Sequence, residues 1–209
     1  MNLKYKSWKD ITISTYQQLM EISAVEKDID PIDLEIGYLA ILCDCDEEEV
    51  LNLPITTYQS IRQQAQFIAN RPEIKAKKPN KLRINWHKYK FITDISKLTT
   101  AQYIDFQNWQ KDNGVIKNLE YVLSCFIIPK GKKYGEYDID EVIADIRQMN
   151  VIDALQYAFF LLMQYICLTR TILNYSISQI ERNKNKTPQM MEGLNKMKEL
   201  RNLLTNGLG

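Results

Sequence analysis

VIDALQYAFFLLMQYICLTRTILNYSISQIER, residues 151–182, decides the fold. Asn150 precedes it as a helix-starting residue, and thirty-odd residues at about 1.5 Å each span on the order of 48 Å. The first half is apolar almost all round (Leu155, Ala158, Phe159, Leu161, Leu162, Tyr165, Ile166), which predicts a central helix packed on several sides. The second half narrows to a stripe of Ile172, Leu173, Ile177 and Ile180. The most apolar run, Ala154 to Leu168, is 15 residues, contains Gln156 and Gln164 and ends at Thr169 and Arg170. A membrane span needs about 20 residues, so the expectation is a buried core helix and no membrane.

Outward from this helix, start signals recur. Asp138 with Glu141 opens a helix bearing Val142, Ile143 and Ile146. Leu119, Val122, Leu123, Phe126 and Ile127 repeat at helical spacing up to Pro129. Thr99 with Gln102 is a capping box for a helix through Tyr103, Phe106 and Trp109, which Gly114 is expected to end. Earlier come Ser14 with Gln17, Asp30 before Pro31, and Pro54 ahead of Tyr58, Ile61, Ala65 and Ile68. Gly (7) and Pro (6) make up only about 6% of the chain against a usual ~12%, so long helices are expected to dominate. The exception is near residues 80–92, where Leu82, Ile84 and Trp86, then Tyr89 and Phe91, alternate with polar residues and predict a small β hairpin. With Ile11 to Ile13 it could form a three-stranded flap. The fold class is mainly α: a multi-helix domain over residues 1–182 with a minor β flap, then a linker and C-terminal amphipathic helix over 183–209.

With 27 basic and 26 acidic residues, no whole-molecule field favours nucleic acid or an anionic membrane. Four irregularly spaced cysteines (Cys43, Cys45, Cys125, Cys167) predict reduced thiols, and MNLKYKSWKD carries no secretory signal, which points to synthesis in a cytoplasm. Histidine chemistry rests on His87 alone, with no activated nucleophile beside it in sequence. Cys43-Asp44-Cys45 lacks a second ligand pair for zinc, and the acidic run Asp44 to Glu49 lacks calcium-loop spacing. Lys130-Gly131-Lys132-Lys133 lacks the rest of a phosphate loop. The expectation is no enzyme, no metal and no cofactor.

Two stretches invite partners. Seven Lys or Arg lie between Lys75 and Lys90, with Trp86 and Tyr89 among them; Lys77, Lys78, Lys81, Arg83, Trp86 and Lys88 are the candidate contacts for an acidic protein or a nucleic acid, against a solvated hairpin face as the plainer reading. In the terminal helix, Met190, Leu194 and Met197 offer flexible apolar contacts, to a partner or to the chain's own core.

Trp8 to Tyr16 (WKDITISTY), Leu53-Pro54, Leu98 to Phe106 (LTTAQYIDF), Ile128 to Tyr134 and Ala158-Phe159-Phe160 together resemble small, non-enzymatic proteins encoded among the structural genes of tailed bacteriophages, particularly crAss-like phages of gut Bacteroides. The resemblance covers about residues 8–180. It implies a virion component or cargo protein of the head or tail, or a tail-assembly chaperone. It also implies phage structural proteins of the tail or portal region as partners, synthesis in the bacterial host cytoplasm and residence in the virion. A homo-oligomer is a further open alternative, and no catalytic or ligand residue carries over.

Overall fold

Side chains that replace missing backbone partners start most of the elements in this computed structural model, which describes residues 1–24, 30–79, 82–111, 114–183 and 187–206. Lys81 and residues 184–186 of the linker lie outside the described residues. Helix α1 (Ile13–Ala24) starts earlier than Ser14 would place it, because Thr12 Oγ1 accepts the Thr15 amide at 3.2 Å. Helix α2 (Pro31–Cys43) starts on Asp30, whose carboxylate accepts the Ile32 amide at 2.8 Å. Asp46 and Glu49 box α3 (Glu47–Leu51), and Pro54 precedes α4 (Ile55–Gln64), which tightens into a 3-10 turn over Ala65–Ala69.

Strands β1 (Leu82–Ile84) and β2 (His87–Phe91) form the expected hairpin. Its two-residue turn, Asn85 and Trp86, has φ of 45° and 69°, the paired left-handed geometry whose twist suits a hairpin. After a 3-10 turn at Ile95–Lys97, the Thr99–Gln102 box starts α5 (Thr100–Lys111): the Thr99 amide donates to Gln102 Oε1 at 3.0 Å and the Gln102 amide to Thr99 Oγ1 at 3.3 Å. Next come α6 (Gly114–Lys117), α7 (Leu119–Ser124), β3 (Ile127–Pro129) and α8 (Ile139–Arg147), then α9 (Val151–Arg182) and α10 (Pro188–Asn206). The protein is mainly α, with one long helix and a small antiparallel sheet in the order β1-β2-β3.

Three expectations are corrected. Gly114 opens α6 instead of ending α5. The helix expected to run on to Pro129 stops at Ser124, and Ile127–Pro129 becomes β3. Phe126, Ile127 and Ile128 are buried in succession, and a short fully buried apolar run has no period that separates strand from helix; the free edge of β2 decides it. β3 thereby takes the third-strand place that Ile11 to Ile13 was expected to fill, and Thr12 instead bridges to Asn150.

Two apolar clusters make the core. One gathers the sheet, α5, α7, α8 and the first half of α9 around Phe106, Leu123, Phe126, Ile127 and Leu161. The other gathers α1 to α4 around Ile11, Leu39, Leu42, Val50 and Ile61. They share the start of α9, where Val151 belongs to one, Ala154 to the other, and Leu155 packs on both. Asn150 fixes this junction: its Oδ1 accepts the amides of Ile152 and Asp153 at 3.0 and 3.3 Å, and its Nδ2 donates to the carbonyls of Trp8, Lys9 and Ile11 at 3.1, 2.6 and 3.3 Å.

Helix α9 is less enclosed than its composition predicts. It is long and apolar enough to cross a membrane by length and composition alone, and 22% of its most apolar window is buried. In its first half Val151, Ala154, Tyr157 and Leu161 are buried, whereas Phe159 and Leu162 remain exposed. Among the described residues neither core cluster reaches past Leu168. Beyond that point α10 packs against α9, with Leu173 and Ile177 buried on one helix and Leu194 on the other. Lys198 Nζ reaches Glu181 at 2.6 Å along the same seam.

Candidate functional site

Strand alternation gives the hairpin two unlike faces. Leu82, Ile84, His87, Tyr89 and Phe91 share one face, and Arg83, Lys88 and Lys90 share the other.

On the first face the hairpin is bolted to α8 through Asp145. Its Oδ1 accepts Asn85 Nδ2 at 3.0 Å, and its Oδ2 meets His87 Nδ1 at 2.7 Å and accepts the Tyr89 hydroxyl at 2.5 Å. Burial alone would raise the Asp145 carboxyl, but the bonds from Tyr89, His87 and Asn85 outweigh it and hold the group below its ordinary value. The Tyr89 phenol is shifted up by burial and by the same carboxylate. Beside this hub opens a cleft of about 660 Å³ lined by His87, Lys88, Lys130, Lys132, Tyr137 and Glu141 among others. Burial pushes the Tyr137 phenol up to about 12, and its hydroxyl has no hydrogen-bond partner among the described residues.

His87 is thus oriented by a carboxylate, as a general base would be, yet among the described residues no Ser, Thr or Cys lines the cleft to be activated. What the four side chains do together is anchor the hairpin. Sequence reading passed over Asp145, although a signal was there: Val142, Asp145, Ile146 and Met149 stand at i, i+3, i+4 and i+7, so the acid lies on the apolar stripe of its helix.

The second face is cationic except at Ile128, which stands opposite Lys90 and is buried. Arg83 stands opposite Lys88 in the β1–β2 register, and the Lys130 amide donates to the Lys88 carbonyl at 2.9 Å, which extends the β2–β3 register by one pair. Arg83, Lys88 and Lys130 therefore form a row across all three strands, with Lys90 behind it; all four are exposed. Like charges directly opposed destabilise a sheet, and among the described residues none of the four has an ion-pair partner. Trp86, 83% exposed at the turn, lies against Arg83: the guanidinium carbon sits 5.2 Å from the ring centroid and Arg83 Nε donates to the Trp86 carbonyl at 3.3 Å.

The structure sorts the contact residues chosen from sequence. It brings Arg83, Trp86 and Lys88 together and adds Lys130, which lies over forty residues away in sequence. Lys78 is exposed in the segment leading to the sheet. Lys77 is committed elsewhere: its Nζ binds Asp153 Oδ1 at 2.9 Å and its amide donates to the Gln156 carbonyl at 3.3 Å, so it ties this segment to α9. In α10, Leu194 is 3% exposed, and Met190 and Met197 are half-buried on the same side. The apolar side chains α10 leaves to solvent are Met191, Leu200 and Leu203.

One more surface was hidden in the composition of α9. Ala154, Leu161, Leu168 and Tyr175 recur every seven residues, with Tyr165 and Ile172 between them, so they lie along one stripe. The body covers this stripe as far as Leu168. The stripe continues past it into solvent, where Ile172 is 56% and Tyr175 66% exposed.

No family model, no curated protein and no solved structure matches this chain. Its surfaces therefore have to be read from their own chemistry. Among the described residues no three His, Cys, Asp or Glu side chains converge as a metal ion would require.

Proposed function

We propose that this chain is a non-enzymatic component of a tailed-phage particle, held in place by a neighbouring structural protein of the tail or portal region that seats on the distal half of α9. The observation that carries the reading is the continuation of the α9 stripe beyond the body, at Ile172 and Tyr175. A helix packed on one side along its first half and left apolar on that same side along its second half is suited to a partner that completes the seam. Tyr175 is the kind of anchor that concentrates binding energy, since it joins a large apolar area to a polar tip. The sequence resemblance over residues 8–180 supplies the setting: synthesis in the host cytoplasm, then incorporation into the virion.

Quantitative mass spectrometry of gradient-purified particles tests this. Recovery in fixed stoichiometry to the portal or tail proteins is the expected result. Abundance in infected cells with absence from mature particles would replace the reading with a tail-assembly chaperone.

A further inference from the structure

We propose that the outer face of the sheet binds single-stranded nucleic acid, with phosphates on the Arg83–Lys88–Lys130 row and a base stacked on the exposed ring of Trp86. The inference stands apart from the α9 surface and involves none of its residues.

Three observations converge. The first is the row itself. Adjacent strands lie about 4.8 Å apart, so cations on three neighbouring strands make a continuous positive track, and Lys90 widens it. A sheet gains nothing by opposing like charges, and among the described residues no acid forms an ion pair with these, although Asp138, Glu141 and Asp145 line the cleft beside Lys88 and Lys130. Asp153 shares a cavity with Arg83 but is taken by Lys77, and the Asp138 carboxylate on the cleft rim caps α8 by accepting the Asp140 amide at 2.9 Å. Glu141 lines the cleft with Lys88 and Lys130 and pairs with neither.

The second is the conformation of Trp86. Its φ of 69° is one that bulky residues rarely adopt and glycine adopts freely. The turn nonetheless holds an indole there and projects it to 83% exposure. The third is its setting. The Arg83 guanidinium lies over the ring, which is otherwise 83% exposed, and Lys88 stands across the strand pair from Arg83. An aromatic platform beside a guanidinium, next to a row of cations, suits a base on a charged backbone, and a base must be unpaired to stack on it.

The near-neutral whole chain keeps non-specific background low, so the test can use the full protein. A fluorescein-labelled oligothymidylate of about 12 nucleotides, a length within the range single-strand sites span, is titrated by anisotropy while Trp fluorescence is recorded. The expected result is binding with quenching, and a log–log salt slope of roughly −2 to −3 for three to four phosphate contacts on a single strand. Arg83→Glu with Lys88→Glu should weaken binding on the order of tenfold or more and flatten that slope. Trp86→Gly should weaken it by roughly 5- to 150-fold, the value of one stacked base, in a protein that folds normally because glycine suits the turn. No binding at low salt would overturn the proposal. So would equal binding of polyglutamate together with an unaffected Trp86→Gly variant, which would assign the face to an acidic protein. A preference for duplex over single strand would also overturn it.

Discussion

Replacing Asp145 with alanine should be the most damaging single polar substitution on the sheet. The carboxylate accepts three hydrogen bonds, but the three donors would fare differently without it. Asn85 and His87 are exposed and can turn to water, whereas Tyr89 is 9% exposed and its hydroxyl would be left without an acceptor. A bond to a charged partner contributes about 1.5–3 kcal/mol and stranding a buried donor costs about 1–3, so the loss centres on about 3 kcal/mol. For a chain of this size each kcal/mol moves Tm by about 2–4 °C, which gives a fall of roughly 6–12 °C by calorimetry at pH 7. Adding Tyr89→Phe to Asp145→Ala should restore part of that fall, because it removes the stranded hydroxyl. The sign with pH follows from the lowered carboxyl: its folded value lies under the ordinary 3.8, so the contribution is complete above the unfolded pKa and disappears as pH drops through the folded one. The stability gap between wild type and Asp145→Ala should therefore be constant above about pH 4 and narrow as pH falls below it. A Tm change under about 2 °C at pH 7, or a double variant weaker than Asp145→Ala, would refute the anchoring role.

Other outcomes follow from the same structure. Gln102→Ala removes a buried side chain that donates to the Cys125 carbonyl at 2.9 Å and closes the α5 capping box; chemical denaturation should show a loss of about 2–4 kcal/mol. Leu194→Asp should free α10 from α9 without unfolding the body, since Leu194 lies in neither core cluster. Hydrogen exchange should then lose protection over residues 188–206 and keep it over 119–128. Lys77→Ala should act locally as well, releasing the segment before β1 from α9, and by limited proteolysis residues 72–79 should be cut faster than in wild type.

How far these features could be read from sequence depends on how local their causes are. Asp30-Pro31, Thr99 with Gln102 and Asn150 are self-contained start signals, and each starts a helix where expected. The hairpin was legible from alternation because one face is buried and one is wet. β3 was not, since Phe126, Ile127 and Ile128 are buried alike and only the free edge of β2, over thirty residues away, makes them a strand. The basic ribbon was legible as composition and illegible as geometry: nothing local distinguishes Lys77, which closes an ion pair with α9, from Lys88, which does not, or joins Lys130 to the row. The exposure of Ile172 and Tyr175 depends on where the body ends, a property of the fold as a whole. Their spacing records only that they continue the stripe.

The central claim, that the distal stripe of α9 holds this chain in a phage particle, is tested most directly by incorporation. Ile172→Glu with Tyr175→Glu changes two exposed side chains outside both core clusters, so the variant should match wild type in Tm. Produced in the host during infection and quantified in purified particles, wild type should appear in fixed ratio to the portal or tail proteins and the variant should be depleted at least tenfold, about 1.4 kcal/mol or more of lost binding. Equal incorporation of the two would contradict the account.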